Sequence, residues 1–331
     1  MSTVQLPAAI LGTASLLPGR RITTAEVAAR LGRPSDAARM EAKTGIRARH
    51  WTEPGTLMAP AAADVLRRAL ADAGLAPTAL RRIILARAGT GDRMFPATAN
   101  AVAAALGLRG ECDAFDLQNA CMSFLSALDL AARSVMTGVG PVGVVAVDFC
   151  SRGIRPSEHR PYMVFGDAAA AAVVGAARSP EEGVVASFLA NDGSRPPDVY
   201  AEEATVIGER AFVRFEQSAD DIVAVALGAL RQGVDGVLAR AGVTLRDVAW
   251  VLPHQPNGVM FDGIVRAFEL DPARVVRVVD ETGSVAAASL PYSLDVLRRT
   301  RPVRAGDLVL MMGVGGGVSY GATLYRVGGA A

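Results

Sequence analysis

Apolar residues follow two alternating periodicities along this chain. Runs in which every residue or every second residue is apolar predict strands, and stretches with an apolar residue every three or four positions predict helices. The predicted strands are 8–17, 82–88, 113–117, 142–149, 168–175, 184–189, 211–215, 248–252, 275–279, 308–312 and 318–326. The predicted helices are 61–73, 97–106, 122–136, 219–241, 258–268 and 286–300. This alternation predicts an α/β fold with mostly parallel central strands covered by helices.

A faint internal repeat relates the two parts of the chain. Ser123 and Ser289 are 289 − 123 = 166 positions apart. The same offset maps Leu128 onto Leu294, Asp129 onto Asp295, Arg133 onto Arg299 and Gly140 onto Gly306. Each copy reads as a strand, a corner, a helix, a glycine and an apolar strand. The repeat predicts two similar halves with their helix N-termini across a shared pseudo-two-fold axis, and a site between them.

Cys121 occupies the corner of the first copy, in the segment Phe-Asp-Leu-Gln-Asn-Ala-Cys-Met-Ser-Phe-Leu. The strand-like run 113–117 leads into this corner, and the helix pattern begins at the cysteine. Free N–H groups and the dipole at a helix N-terminus favour an anion. We therefore expect the pKa of the thiol to be lowered from about 8.5 to roughly 3.5–7.5, which suits nucleophilic acyl transfer. The alternative is a cysteine that only fills buried apolar space.

Two further segments are candidate partners of this cysteine. His254, in Pro-His-Gln-Pro-Asn, follows the strand-like run 248–252 and is a candidate acid, base or oxyanion donor. An isolated histidine there is more often a satisfied core residue. The glycine-rich segment 313–317 lies between two apolar runs, so its N–H groups can approach a developing oxyanion, although a plain tight hairpin is the alternative. A strand-like run follows these glycines instead of a helix, which disfavours a nucleotide-binding oxidoreductase.

Composition and charge narrow the class of protein. The 331 residues are 51% hydrophobic and 20% charged, which is typical of a soluble globular protein with a large core. The formal net charge of +1 gives no reason to expect nucleic acid or an anionic membrane surface as a partner. We find no membrane-length apolar run, no signal-like N-terminus and no zinc-ligand spacing. Three irregularly spaced cysteines indicate a reducing cytosol, so we expect a cytoplasmic protein without a metal site.

Taken in order, these motifs resemble the β-ketoacyl-ACP synthase III family of the thiolase superfamily. The matching segments are 44–50, 95–99, 116–124, 165–167, 253–257, 283–291 and 315–321, which together span nearly the whole chain. The resemblance implies the duplicated α/β thiolase fold, with layered α-β-α-β-α halves at 1–178 and 179–331, and a homodimer. It also implies acyl-CoA or a phosphopantetheinyl acyl carrier protein as substrate, with no separate cofactor.

The resemblance also implies roles for individual residues. Cys121 would accept the acyl group, His254 would stabilise charge on the thioester carbonyl, and the N–H groups of Cys121 and Gly316 would form the oxyanion hole. Phe95 matches a residue that reaches the acyl pocket of the partner subunit in such dimers. The remaining positions expected to bind substrate are Arg47, Met122, Asn257 and Val314.

This chain departs from the family pattern at the third active-site residue. The family has an asparagine there, whose amide donates an N–H to the thioester carbonyl during decarboxylation, and the matching position is Ser284. A serine hydroxyl is shorter and needs a bridging water. At the substrate entrance, Val259 replaces an arginine and the region near Arg39 lacks a tryptophan that stacks on the CoA adenine. After the nucleophile, Met122-Ser123 replaces a small residue and a glycine, which alters the expected acyl pocket.

Three functional hypotheses follow. In the first, an acyl group loaded on Cys121 condenses with a carrier-bound, malonyl-type acceptor, with Ser284 and a water replacing the amide. In the second, the acyl group passes without decarboxylation to a hydroxyl, amine or thiol that His254 deprotonates. In the third, the chain is a non-catalytic partner subunit of a synthase. The departures favour a specialised donor and acceptor in polyketide or other secondary metabolism.

Overall fold

Two mixed β-sheets organise the computed structural model, which describes residues 5–195, 199–202 and 212–329. The first sheet has the order β1-β7-β6-β4-β5 and the second has the order β11-β12-β13-β8. The strands of the first sheet are β1 (Ala8–Leu16), β4 (Arg82–Arg87), β5 (Asp113–Gln118), β6 (Val142–Phe149) and β7 (Asp167–Ala176). Those of the second are β8 (Gly183–Asn191), β11 (Trp250–Pro253), β12 (Leu308–Gly315) and β13 (Ser319–Arg326). Two short pairs join β2 (Arg20–Thr23) to β3 (Ala48–Trp51) and β9 (Val199–Tyr200) to β10 (Arg214–Phe215).

Helices cover and separate the two sheets. They are α1 (Thr24–Arg30), α2 (Ala37–Thr44), α3 (Met58–Asp72), α4 (Thr98–Ala105), α5 (Ser123–Met136), α6 (His159–Val164), α7 (Ala219–Ala241), α8 (Gly258–Ala267), α9 (Val279–Thr282) and α10 (Ser289–Thr300). Helices α3 and α4 pack on the first sheet, and α7 and α8 contribute to the core of the second. Helices α5 and α10 contribute to a core cluster that draws on both sheets. The result is the expected α-β-α-β-α layering.

The internal repeat predicted from the sequence is confirmed by the backbone. Helices α5 and α10 begin at Ser123 and Ser289, and strands β6 and β12 are related by the same 308 − 142 = 166 positions. Ala120 and Ala286, also 286 − 120 = 166 apart, both have a φ of 45°. A positive φ is uncommon for a residue with a Cβ, so its recurrence at matching corners indicates a duplicated motif. All first-sheet strands end by Ala176 and all second-sheet strands begin at or after Gly183, while the domain division itself stays a prediction.

Fewer of the strand pairs in these two sheets are parallel than the sequence predicted. Within them β4 pairs in parallel with β5 and β6, and β11 pairs in parallel with β12, but the other four pairings are antiparallel. The expectation of mostly parallel strands is therefore wrong. The connection from β12 to β13 shows why, because a turn of three residues can join only antiparallel neighbours.

Most remaining differences concern short elements. The predicted strand 275–279 is reduced to one bridge between Val275 and Val251, and α9 begins at Val279. Of the predicted strand 211–215, position 211 lies outside the described residues and only Arg214–Phe215 is a strand. The sequence analysis missed α1, α2 and α6. Short apolar runs do not distinguish a strand from one helical turn, so such elements depend on packing.

Helix α7 is an exception to the expectation that no segment would reach the length of a membrane span. Its 23 residues are long and apolar enough by length and composition. One such helix is weak evidence, because a core helix passes the same test. Here Leu230, Val234 and Val237 are buried in the second-sheet core, and Asp220 and Asp221 lie in the first turn.

Candidate active site

Cys121 lies in a corner between β5 and α5 that is fixed by local hydrogen bonds. The Asn119 N–H donates to Ser123 Oγ at 2.7 Å, and that oxygen lies 2.8 Å from the Arg87 carbonyl at the end of β4. Ala120 takes its positive φ immediately before the cysteine, and α5 begins two residues after it, at Ser123. The cysteine therefore lies beside a helix N-terminus, but it precedes the first helical residue by two positions, whereas the sequence pattern placed the start of the helix at the cysteine itself.

The environment of the thiol reverses the expected direction of its pKa. Burial, helped by the nearby Asp148 carboxylate, raises the pKa of Cys121 to about 12, although the backbone N–H of the cysteine itself opposes both effects. The predicted lowering is therefore wrong for the free protein. Desolvation disfavours an anion more strongly here than the helix terminus favours it. Cys121 is therefore a thiol at rest, and the proposed nucleophile must lose a proton when it reacts.

His254 is held at the end of β11 by a backbone bond. Its N–H donates to the Met312 carbonyl of β12 at 2.8 Å. The side chain is buried, and within the described residues its Nδ1 has no hydrogen-bond partner. Burial lowers the pKa of His254 to about 4 because the imidazolium form loses its hydration. The imidazole is thus neutral near pH 7 and able to accept a proton.

Glycines at the end of β12 bring the cysteine and the histidine to one place. A Cβ added at Gly315 would lie 3.1 Å from the Cys121 nitrogen. A Cβ added at Gly313 would lie 2.8 Å from the Met122 sulfur and 3.7 Å from the His254 Cβ. Close approach of this kind requires residues without side chains. The glycine segment does form the tight β12–β13 connection, and the same turn also contacts the corner at Cys121.

Ser284 is buried, and its backbone is held by the segment that precedes β7. Its N–H donates to the Val164 carbonyl at 2.8 Å, and its own carbonyl accepts from Gly166 at 2.9 Å. Gly166 is confined, because a Cβ there would lie 2.2 Å from the Thr282 oxygen. Val164 and Gly166, in and next to the matching segment 165–167, therefore hold the backbone of Ser284. The Ser284 hydroxyl makes no hydrogen bond to the described residues.

Asp148 is a site residue that sequence reasoning missed. It lies near the end of β6, and its carboxylate accepts the N–H groups of Ala88 at 2.9 Å and of Ala287 at 2.8 Å. Burial raises the pKa of Asp148 to about 7. An aspartate inside the otherwise apolar run 142–149 was the available signal, because an aspartate is rarely fully buried unless its charge is paired.

A surface groove of about 470 Å³ contains the predicted entrance residues Arg47 and Val259. Arg47 pairs with Glu281 at 2.9 Å and with Asp280 at 3.4 Å. Arg277, on the same groove, pairs with Asp280 at 2.7 Å and also with Asp262. Both arginines that line this groove are therefore engaged by carboxylates, and Val259 contributes an exposed apolar side chain.

The other predicted substrate-binding residues lie in different environments. Met122 is fully buried against β12, and Val314 is half-buried beside the second-sheet core. The Asn257 carboxamide oxygen accepts the Met260 N–H at 2.8 Å and so caps α8. Phe95 lies on a loop and is 79% exposed. The structure thus gathers Cys121, His254 and the glycine turn, whereas Phe95 projects from the surface. The substrate-binding roles of Met122, Val314, Asn257 and Phe95 stay predictions.

No metal-ligating group is evident in the described part of the chain, where no three His, Cys, Asp or Glu side chains are suitably clustered. The three cysteines are free thiols.

Comparison with known proteins adds a family relationship to this geometry. Residues 115–193 match the family described as 3-oxoacyl-[acyl-carrier-protein (ACP)] synthase III, and residues 238–327 match its C-terminal part. A β-ketoacyl-[acyl-carrier-protein] synthase III from Rhizorhabdus wittichii is 35% identical over 96% of this chain and 99% of its own.

Solved structures share the fold over nearly their whole length. The 3-oxoacyl-(acyl carrier protein) synthase III of Pseudomonas aeruginosa is 30% identical with a TM-score of 0.88, covering 98% of this chain and 99% of its own. A priming β-ketosynthase from a polyketide biosynthetic pathway is 27% identical with a TM-score of 0.87, covering 100% of this chain and 99% of its own.

Proposed function

This chain belongs to the 3-oxoacyl-[acyl-carrier-protein] synthase III family, and from that premise we propose that it is an acyl-transferring condensing enzyme. Cys121 takes an acyl group from an acyl-CoA or an acyl carrier protein, and the group then condenses with a carrier-bound, malonyl-type acceptor. The observation that carries this proposal is the meeting of the Cys121 corner, the neutral His254 and the glycine turn at one place.

The loading step follows from the protonation states. The Cys121 sulfur attacks the thioester carbonyl carbon as its proton passes to the neutral imidazole of His254. The carbonyl oxygen becomes an oxyanion that accepts N–H groups from Cys121 and Gly316. Collapse of this intermediate breaks the bond to the donor sulfur, which takes the proton back from His254. The products are an acylated Cys121 and a free pantetheine thiol.

The condensation step places a different demand on the same residues. The malonyl carboxylate leaves as carbon dioxide, and the negative charge passes to the thioester oxygen of the acceptor. The neutral His254 imidazole donates an N–H to that oxygen, and the Ser284 hydroxyl supports it through a water. The resulting carbanion attacks the acyl carbonyl on Cys121, a carbon–carbon bond forms, and the Cys121 sulfur leaves as a thiolate that takes a proton from solvent to restore the thiol.

Direct acyl transfer is the second candidate function, and Ser284 is the observation that favours it. The loading step needs only the thiol, His254 and the oxyanion donors, whereas decarboxylation loses the donor that an amide at position 284 would supply. Removal of one such donor lowers rates by about 10²–10³ in other enzymes. In this reaction His254 removes a proton from a hydroxyl, amine or thiol acceptor that then attacks acyl-Cys121; the acyl–sulfur bond breaks, and the Cys121 sulfur takes that proton from His254.

The wider context is part of the same proposal. The likeness to a priming ketosynthase of a polyketide pathway supports a role in polyketide or other secondary metabolism. The proposed partners are acyl-CoA, an acyl carrier protein and a second copy of the chain, in the cytoplasm. Neither nucleic acid, a membrane nor a resident cofactor is part of the reaction.

Mass spectrometry of the intact protein tests the loading step. We expect incubation with a panel of acyl-CoA and acyl-carrier thioesters to add the mass of one acyl group, and Cys121→Ala to abolish the gain. Loaded protein is then given malonyl-carrier protein or a set of hydroxyl, amine and thiol acceptors. Carbon dioxide release coupled to loss of the acyl group supports condensation, and release without carbon dioxide supports direct transfer. Failure to load from any donor favours a non-catalytic partner subunit.

A further inference from the structure

The Asp148 carboxylate joins the two halves of the chain beneath the proposed active site. It is 4% exposed and accepts three backbone N–H groups, from Ala88 at 2.9 Å, Gly89 at 3.4 Å and Ala287 at 2.8 Å. The first two donors follow β4 in the first sheet. The third belongs to the turn that follows Ser284 in the second half. A single carboxylate therefore fixes the position of that turn relative to the nucleophile corner.

The internal repeat shows what is special about this contact. Ala287 is the counterpart of Cys121 at 287 − 121 = 166, and each follows an alanine with a φ of 45°. The counterpart of Asp148, at 148 + 166 = 314, is Val314, which has no side-chain acceptor. One corner N–H is thus bonded to a carboxylate. The other, on Cys121, has no acceptor among the described residues except its own sulfur, which leaves it free for an oxyanion.

Electrostatics connects the same carboxylate to the nucleophile. The charge of Asp148 raises the pKa of the Cys121 thiol, as does burial, and it also raises that of Cys150. The titratable and charged groups around Asp148 and these thiols are Arg87, Asp116, Asp167, His254, Cys121 and Cys150, of which His254 stays neutral between pH 5.5 and 9 because burial lowers its pKa to about 4. Arg87 favours the charged form of Asp148 but is itself paired with Asp116 at 3.0 Å. A charged carboxylate and a thiolate repel each other, so ionisation of Asp148 makes ionisation of the neighbouring thiol less favourable.

We propose that Asp148 is a positioning residue that controls the reactivity of Cys121, holding the Ala287 turn in place while its charge restrains ionisation of the thiol. Protonation of the carboxylate removes that restraint and makes the thiol easier to ionise. This inference rests on the proposed function in taking Cys121 as the nucleophile. It adds a regulation by pH that the loading chemistry alone does not contain.

The rate of alkylation of Cys121 by iodoacetamide, followed by peptide mass spectrometry between about pH 5.5 and 9, tests this inference. In the wild-type protein, Asp148 is neutral at the acid end and charged at the alkaline end, because its pKa is raised to about 7. We expect the logarithm of the rate to rise with pH, flatten near pH 7 as the carboxylate ionises, and then rise again. Asp148→Asn should give one continuous rise, matching the wild type at the acid end.

The expected ratio of the two rates depends on pH, which a purely structural effect would not. If the charge accounts for one unit of the thiol pKa, its loss raises the thiolate fraction about tenfold above pH 8. Intrinsic nucleophilicity falls with pKa with a coefficient of about 0.5, so the rate should rise about threefold. Alkylation of Cys112 in the same samples provides an internal control.

Asp295→Asn is the matched control, because Asp295 is a buried carboxylate that bonds Thr13 and Ser15 instead of the Cys121 corner. It should leave the Cys121 profile unchanged. A wild-type profile without an inflection, or a ratio that does not vary with pH, overturns the inference. If Asp148→Asn does not fold, the wild-type profile decides the question alone. Since alkylation needs no acyl donor, failure of the proposed function would appear separately, as a protein that alkylates but does not load.

Discussion

At Cys121, two local effects on the thiol act in opposite directions. The helix N-terminus favours the thiolate, as the sequence indicates. Burial and the Asp148 charge favour the thiol, and they raise its pKa to about 12. Because His254 is neutral with a pKa lowered to about 4, the pair starts as a thiol and a free base. In the proposed loading step, proton transfer therefore accompanies attack instead of preceding it.

We expect residue 284 to decide which second reaction the proposed site supports. We expect Ser284→Asn to increase malonyl decarboxylation by acyl-loaded protein about 10²-fold, since an amide N–H reaches the thioester oxygen without a bridging water. The measurement is carbon dioxide release under single-turnover conditions. Loading of Cys121 should not change, because that step does not use residue 284. An unchanged rate of carbon dioxide release, with loading intact, would point to direct acyl transfer.

At the scale of elements, strand β12 matters most because its last residues carry no side chains. In the Gly315→Ala variant, the added Cβ would lie about 3.1 Å from the Cys121 nitrogen, which is closer than an ordinary contact. We expect the loading rate to fall with the fold retained, by less than the roughly 10²-fold that misplacement by about 1 Å costs in other enzymes, because the contact requires a smaller shift. Loading measured by intact mass, beside thermal unfolding, separates the two effects.

Gly263→Ala supplies the control for that variant. Gly263 lies in α8, and an added Cβ there would meet no atom within 4 Å. Replacing a helical glycine with alanine stabilises by roughly 0.5–1 kcal/mol, so this variant should melt slightly higher and load normally. Equal losses of loading in both variants would contradict the role assigned to the Gly315 contact.

The elements that the pattern predicted best are the long ones. Helix α7 has the predicted bounds Ala219–Ala241, and β6 has the predicted bounds Val142–Phe149, because many periodic positions specify each. The short helices α1, α2 and α6 were missed. Their lengths provide too few turns for a periodic signal, and their stability comes from packing in the finished fold.

At the scale of the whole molecule, the exposed loop at Met94 and Phe95 has no partner within the described chain. These side chains are 76% and 79% exposed. Large apolar side chains exposed together mark interaction sites. We expect a homodimer, measured by sedimentation, and we expect Phe95→Asp to weaken its association at least about tenfold, as loss of an aromatic anchor does.

Val259→Asp is the control for the dimer experiment. Val259 is also an exposed apolar residue, at 46%, but it lies in the groove beside Arg47. It should leave the sedimentation behaviour unchanged. A monomeric wild-type protein, or equal dissociation of both variants, would be inconsistent with an interface at Phe95.

The sequence by itself determined the family, the duplication and the long elements, and it predicted the residues of the candidate site that the structure brings together. Each of these can be recognised from short segments of sequence. They are the corner at Cys121, the position of His254 after its strand, the glycines of β12 and the matching segments 166 residues apart. The serine at position 284, where the family has an asparagine, was recognised in the same way from its place in a motif.

Only the tertiary structure decided the electrostatics of the site and the directions of the strands. The pKa of Cys121 depends on burial by distant segments and on Asp148, which lies 148 − 121 = 27 positions away. The hold on Ser284 comes from Val164 and Gly166, and the pairing of Arg47 comes from Asp280 and Glu281. Desolvation and Coulomb interactions act through space, so residues far apart in the chain set them together, and no short segment contains that information.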